Sequence, residues 1–141
     1  MSRALGVDLG TRRIGLALSD PTGTVASPYA VLTRSADRGR DHAAIVAAAR
    51  ETEAATIVVG LPLSLSGRVG PAARATLDEV DELRAAAEAE GLAVETLDER
   101  LTTVIAHQGM RAANTKRDAR RRDVDKVAAA VMLQSYLDRA R

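Results

Sequence analysis

Short apolar runs bounded by polar turns dominate the first sixty residues of the chain. Residues 4–7 and 14–18 are two such runs, and this pattern predicts two buried strands joined in a hairpin. Residues 24–32 predict a third strand, in which Pro28 marks an edge or an irregularity. The β-branched run at residues 56–59 predicts a fourth, buried strand.

In the later part of the chain, apolar residues mostly recur at the spacing of an α-helix. Pro71 suits the first turn of a helix that ends at Gly91, and residues 92–97 predict a fifth strand. Residues 111–122 have little apolar content, so we expect a mobile segment there. The predicted helices cover residues 41–53, 71–90, 101–110 and 124–137.

The order of these elements predicts an α/β fold. The first three strands follow one another closely and are expected to be antiparallel neighbours. The last two strands are separated by helices, so right-handed crossovers should make them parallel. We therefore predict a mixed five-stranded sheet with helices on both faces, formed by residues 1–141 as a single domain.

The amino-acid composition excludes several kinds of catalytic and binding site. The chain has no Cys, which excludes disulfides, thiolate catalysis and cysteine-zinc sites. It has no Phe or Trp and only two Tyr, so an aromatic platform for stacking bases is not expected. No apolar run reaches membrane-spanning length and no leader sequence precedes the first strand, which predicts a cytoplasmic protein without a membrane partner.

Three acidic positions stand at the ends of predicted elements. Asp8 ends the first strand, Glu99 (or its neighbour Asp98) ends the last strand, and Asp125 (or Asp123) lies near the start of the last helix. Two carboxylates about 4 Å apart repel by about 4 kcal/mol at an effective dielectric of 20. If the three converge, the cluster needs a cation, and oxygen ligands suit Mg²⁺ or Mn²⁺. The alternative is that they are dispersed, each with a local partner or at a helix start.

A basic cluster precedes the third acidic position. Residues 111–126 contain seven Lys or Arg and three Asp, a local charge of +4, although the whole chain carries only +1. Contacts from Arg and Lys to phosphates are the main source of non-specific affinity for nucleic acids. The alternative is a solvated charged loop. The predicted nucleic-acid contacts are Arg12, Arg13, Arg68, Arg117, Arg120, Arg121, Arg122 and Lys126.

Four segments in this order resemble the YqgF (RuvX) family, which has been described both as Holliday junction resolvases and as pre-16S rRNA nucleases. The resemblance covers nearly the whole chain, and the four motifs together are specific although each alone is weak. The segments are DLGTRRIG at 8–15, GLPL at 60–63, DERLTT at 98–103, and DKVAA at 125–129 with LQSYL at 133–137.

The resemblance implies a ribonuclease H-like fold and a divalent-metal nuclease. The catalytic acids and metal ligands of the family fall on Asp8, Glu99 and Asp125 of this chain. The resemblance also implies a role in maturing the 5′ end of 16S rRNA, with resolution of DNA junctions as the older suggestion.

Sequence reasoning thus favours a metal-dependent endonuclease that hydrolyses phosphodiester bonds in structured RNA such as pre-16S rRNA. The first alternative is a Holliday junction resolvase acting on branched DNA, which would need a symmetric dimer; the sequence allows either a monomer or a homodimer. A second alternative is a non-catalytic nucleic-acid-binding regulator. A third is an ATP-handling domain, because the phosphate loop of sugar kinases and actin also reads Asp-x-Gly-Thr.

Overall fold

A computed structural model describes residues 2–62, 69–98 and 117–140, with residues 117–123 and 140 described by their backbone. Within this part of the chain, five strands and three long helices form an α/β fold. The strands are β1 (Arg3–Leu9), β2 (Arg13–Ser19), β3 (Ala26–Thr33), β4 (Ala54–Leu61) and β5 (Ala93–Asp98). The helices are α1 (Arg38–Glu51), α2 (Pro71–Glu88) and α3 (Arg117–Ala140).

The strands form one mixed sheet in the order β3-β2-β1-β4-β5. β1 pairs antiparallel with β2, and β2 pairs antiparallel with β3. β1, β4 and β5 run parallel to one another. The predicted mixed five-stranded sheet is therefore confirmed, and Pro28 lies on an edge strand beside a register shift. The carboxyl ends of the three parallel strands share one edge of the sheet with the turn between β1 and β2.

Helices cover both faces of the sheet, as the element order predicts. Leu5 and Val7 of β1 lie in the core cluster under α1 and α2, whereas Ala4 belongs to a second cluster with α3. Successive side chains of a strand point to opposite faces. β1 therefore presents its even-numbered residues, up to Asp8, to the face that α3 covers. None of the helices described in the structure is long and apolar enough to cross a membrane.

Two helices begin earlier than the sequence predicts. α1 begins at Arg38 because Asp37 caps it, accepting hydrogen bonds from the backbone N–H groups of Gly39 and Arg40. The prediction of a mobile segment is wrong for residues 117–122, which form the first turns of α3. Ala and Arg have high helix propensity, so the helix continues beyond its apolar stripe. The helix predicted over residues 101–110 lies outside the described residues.

The longer α3 also changes the position of the third acidic residue. Asp125 lies about two turns inside α3 and is not at the start of the helix. The alternative in which Asp125 merely complements the dipole at a helix start is therefore wrong. Its place is set by how α3 packs on the sheet.

Candidate metal centre

Asp8 is the penultimate residue of β1, at the edge where the parallel strands end. It is directly opposite Gly15 of β2 in the antiparallel register. Paired residues on neighbouring strands present their side chains to the same face. Asp8 therefore faces α3, and its neighbour on β2 has no side chain, which lets another backbone approach the sheet beside Asp8.

The backbone of α3 occupies the space in which a side chain of residue 15 would lie. A Cβ built on Gly15 would lie 2.1 Å from the carbonyl oxygen and 2.6 Å from the carbonyl carbon of Asp125. The helix backbone thus touches the sheet at the residue paired with Asp8. Farther along α3, Ala128 and Ala129 are almost completely buried, which keeps the helix close to the strands.

Electrostatics show that the two carboxylates interact. Burial raises the pKa of Asp8 from 3.8 to about 6, and the nearby charge of Asp125 adds to this rise. Burial and a neighbouring carboxylate both oppose the ionisation of Asp8, and a divalent cation would relieve both effects. The donor set, two carboxylates on a strand and on the helix packed against it, fits a cation that prefers oxygen ligands.

The raised pKa of Asp8 predicts a pH-dependent effect of Asp8→Asn on the metal-free protein. A folded-state pKa of about 6 against 3.8 gives stability that is full below pH 3.8 and lost as the pH rises through 6. We expect Asp8→Asn to raise the free energy of unfolding at pH 7.5 by about 2–3 kcal/mol, and to have little effect at pH 4. Urea unfolding in the presence of a chelator measures both values.

Asp20 provides a control, because its pKa is shifted in the opposite direction to that of Asp8. Hydrogen bonds from Thr22 and from the backbone N–H groups of Val25 and Thr24 lower the pKa of Asp20 to about 2. Asp20→Asn should therefore destabilise the protein at pH 7.5. Equal effects of the two substitutions at pH 7.5 would contradict the raised pKa of Asp8.

The alternation of side chains along β5 limits which residue can be the second acid. Leu97 belongs to the core cluster with α3, so Asp98 lies on the opposite face, towards α1 and α2. Asp98 is therefore on the wrong face to join Asp8. Glu99 lies outside the described residues. Among residues 2–62, 69–98 and 117–140, no three His, Cys, Asp or Glu side chains form a cluster that could hold a metal.

The predicted basic residues fall into three groups. Arg12 is exposed in the turn after β1, and Arg13, half-buried, begins β2 on the face of α3, so both are at the Asp8 edge. Lys126 is half-buried next to Asp125 in α3. Arg68 lies outside the described residues, and residues 117–122 are described by their backbone in α3. The structure thus brings the first turn and α3 to one edge of the sheet.

Sequence reasoning missed two features near the site. The first is Gly15, although a glycine inside an apolar strand is a known signal for close approach of another backbone. The second is a buried polar cluster of Arg34, His42 and Glu79, which carries no short motif because its members come from three separate elements.

Comparison with known proteins identifies related sequences along nearly the whole chain. The family model described as "RuvX: Holliday junction resolvase" matches residues 2–139. A protein of Kineococcus radiotolerans named "Putative pre-16S rRNA nuclease" is 46% identical over 97% of this chain and 72% of its own length. A Clostridium botulinum protein of the same name is 42% identical over 97% of both chains.

Among solved structures, the chain is similar to Thermus thermophilus RuvC. RuvC in complex with a Holliday junction substrate aligns with a TM-score of 0.60 at 16% identity, covering 98% of this chain and 96% of RuvC. A second RuvC structure aligns with a TM-score of 0.54. At this level of identity the similarity concerns the fold, which is ribonuclease H-like as predicted.

Proposed function

This chain belongs to the RuvX family, and from that premise we propose that it is a divalent-metal-dependent endonuclease that hydrolyses phosphodiester bonds in structured RNA. The curated relatives carry the name of pre-16S rRNA nuclease, so we propose the 5′ end of that precursor as the substrate. The single observation that supports catalysis by this chain is the contact of the Asp125 backbone with Gly15, opposite Asp8.

The proposed cation is Mg²⁺ or Mn²⁺, with Asp8, Asp125 and Glu99 as its ligands. Asp8 and Asp125 approach each other between β1 and α3, and their coupling through charge supports a shared cation. Glu99 is proposed on the family resemblance, supported by the position of Asp98 on the opposite face. Such ions, when bound, activate water and stabilise the leaving oxygen in phosphodiester cleavage.

Residues of the chain itself would orient the substrate. β1 fixes the Asp8 carboxylate at the end of a buried strand, where rigid placement favours the reaction. Arg12 and Arg13 extend from the adjacent turn and are suited to binding phosphates on either side of the scissile bond. Lys126, beside Asp125, and the arginines at 117 and 120–122 would add further phosphate contacts along α3.

A direct assay tests the proposal. We expect the protein to shorten a model RNA carrying the 5′ precursor segment of 16S rRNA when Mg²⁺ or Mn²⁺ is added, and to stop when the metal is chelated. Retained RNA binding without cleavage in either metal would favour the non-catalytic regulator. Binding of ATP with no affinity for RNA would instead support the ATP-handling interpretation.

The junction resolvase remains the second candidate function, because the family description names that activity and RuvC shares the fold. A resolvase needs two sites in a symmetric dimer to cut both strands of a junction. Side-by-side cleavage of the RNA and of a four-way DNA junction, together with a measurement of molecular mass in solution, separates the two. Symmetric cutting of the junction by a dimer, with the RNA left intact, would overturn the RNA proposal.

The basic segment of α3 predicts a measurable salt effect. We expect replacement of Arg120, Arg121 and Arg122 by Ala to weaken RNA binding and to reduce the slope of log affinity against log salt by about 2–3, since each lost phosphate contact removes about 0.7–0.9. Arg50 and Arg139 lie at the opposite end of the sheet, so their double replacement by Ala is the control. An unchanged slope in the triple variant would remove this segment from the interface.

A further inference from the structure

Arg34, just after β3, holds both ends of the turn that follows Asp8. Its backbone N–H donates to the carbonyl of Arg12 (2.9 Å), and its Nε donates to the carbonyl of Gly10 (2.9 Å). The N–H of Gly10 in turn donates to the carbonyl of Asp8 (3.1 Å). The same N–H also donates to the carbonyl of Arg13 (3.0 Å), so Gly10 is held through its N–H by the hairpin and through its carbonyl by Arg34.

The Arg34 guanidinium is itself anchored to the two helices on the far face of the sheet. Its two terminal nitrogens donate to the two carboxylate oxygens of Glu79 in α2. Glu79 also bonds Nε2 of His42 in α1 at 2.8 Å. The side chains of Glu79 and His42 are 6% and 3% exposed, so water competes little with these bonds.

Hydrogen bonds and opposite charges stabilise the ionised groups of this cluster. Burial opposes the ionisation of Glu79, yet hydrogen bonds from Arg34 and His42 keep the pKa of Glu79 below its ordinary value. Asp41 adds a further anion 3.8 Å from Arg34 and accepts hydrogen bonds from the backbone and hydroxyl of Ser35. A bidentate pair of Arg with carboxylate fixes geometry as well as charge, which a Lys cannot reproduce.

The contacts from Arg34 matter for the turn because it lies beyond the last paired residues of β1 and β2. The pairing of β1 with β2 ends at Leu9 and Ile14, and within the hairpin the turn is closed by the Gly10 N–H, which donates to the carbonyl of Arg13 (3.0 Å). Gly10 also has no room for a side chain, since a Cβ there would lie 2.5 Å from the carbonyl of Arg13. The turn is thus tightly folded, and the two bonds from Arg34 join it to the rest of the molecule.

We infer that Arg34 is a positioning residue, which through Glu79 and His42 fixes the turn at residues 10–12 and thereby the placement of Asp8 and Arg12. The inference about the turn stands on the hydrogen bonds alone, and its consequence for catalysis rests on the proposed function. Partners that orient metal ligands from outside the coordination shell typically contribute 10–100-fold to metal affinity.

Arg34→Lys tests the inference because it keeps the positive charge and removes the planar fork. Amide hydrogen exchange, followed by NMR without metal or substrate, should be at least tenfold faster at Gly10 and at residue 34, with the amides of α1 and α2 protected as before. Arg50→Lys is the matched control, because Arg50 of α1 makes an exposed pair with Glu90, just beyond the end of α2. It should leave the turn unchanged.

Two further measurements link the turn to the site. Binding of Mn²⁺ alone, by calorimetry, should weaken about tenfold in Arg34→Lys, and the cleavage rate should return at high Mn²⁺. Wild-type exchange at Gly10 and residue 34 would overturn the inference, and so would uniform acceleration across α1 and α2, which indicates a loss of stability only. If Arg34→Lys does not fold, Glu79→Gln weakens the pairing of Glu79 with Arg34 by a smaller change. The same exchange rates at Gly10 and residue 34 are then measured in that variant.

The exchange measurement also separates the two proposals. If the wild-type protein neither binds Mn²⁺ nor cuts RNA, the proposed function fails. The exchange rates at the turn still decide whether Arg34 positions it.

Discussion

Asp8→Asn should reduce cleavage of the precursor RNA by at least about 10³-fold while leaving the fold and RNA binding intact. The substitution keeps the size of the side chain but removes the charge of a proposed metal ligand at the end of β1. Catalysis that depends on a cation to activate water cannot be replaced by the remaining residues at a comparable rate. The RNA affinity should persist because phosphate contacts come from separate basic residues.

Cleavage rates under single-turnover conditions, measured with Mg²⁺ and with Mn²⁺, check this result. Asp20→Asn is the control for the loss of a carboxylate in a turn at the other end of β2. It should cut at the wild-type rate when assayed well below its unfolding midpoint. Normal cutting by Asp8→Asn, with the fold verified by circular dichroism, would contradict the proposed metal centre.

Gly15→Ala should disrupt both stability and activity. The added Cβ would lie 2.1 Å from the carbonyl oxygen of Asp125, and a helix backbone cannot yield as the end of a flexible side chain can. Either α3 moves away from β2 or the variant is strained, and overpacking of this kind typically costs 1–3 kcal/mol or more. Displacement of α3 would also separate Asp125 from Asp8, so we expect at least a 10²-fold loss of cleavage.

Two other glycines make the experiment specific. A Cβ on Gly6 would lie 2.9 Å from the Cβ of Leu133 and 3.2 Å from the carbonyl oxygen of Ala129 under the same helix, whereas a Cβ on Gly70 would meet nothing within 4 Å. Gly6→Ala should therefore destabilise the protein with less effect on cleavage, and Gly70→Ala should change the stability by no more than about 1 kcal/mol. Urea unfolding and Mn²⁺ titration are the measurements. Wild-type stability of Gly15→Ala would contradict the close packing of α3 on β2.

Most of the sheet could be predicted from local pattern. Apolar runs of four to eight residues between turns, together with the spacing of the helices, define the order and direction of the strands. The position of Asp8 at the end of the first strand followed from the same pattern. Helix boundaries were predicted less well, because the cap at Asp37 and the propensity of residues 117–122 act without apolar periodicity.

The motif around Asp125 suggested its role, but local pattern could not place it in space. Its approach to Asp8 depends on the register that sets Gly15 opposite Asp8, and on the packing of α3 against that glycine. The two acids are more than a hundred residues apart in the chain. Sequence periodicity reports which side of a helix is apolar, but not where along the sheet that side will rest.

The amino-acid sequence therefore specified the strands, the mixed sheet and an acidic residue at a strand end, because each depends on near neighbours in the chain. The three-dimensional packing specified which groups meet: Asp125 with Gly15, and Arg34 with Gly10 and Glu79. These contacts join residues that are distant in sequence, and hydrogen bonds across such distances leave no periodic signal. These contacts form only when the helices pack on both faces of the sheet.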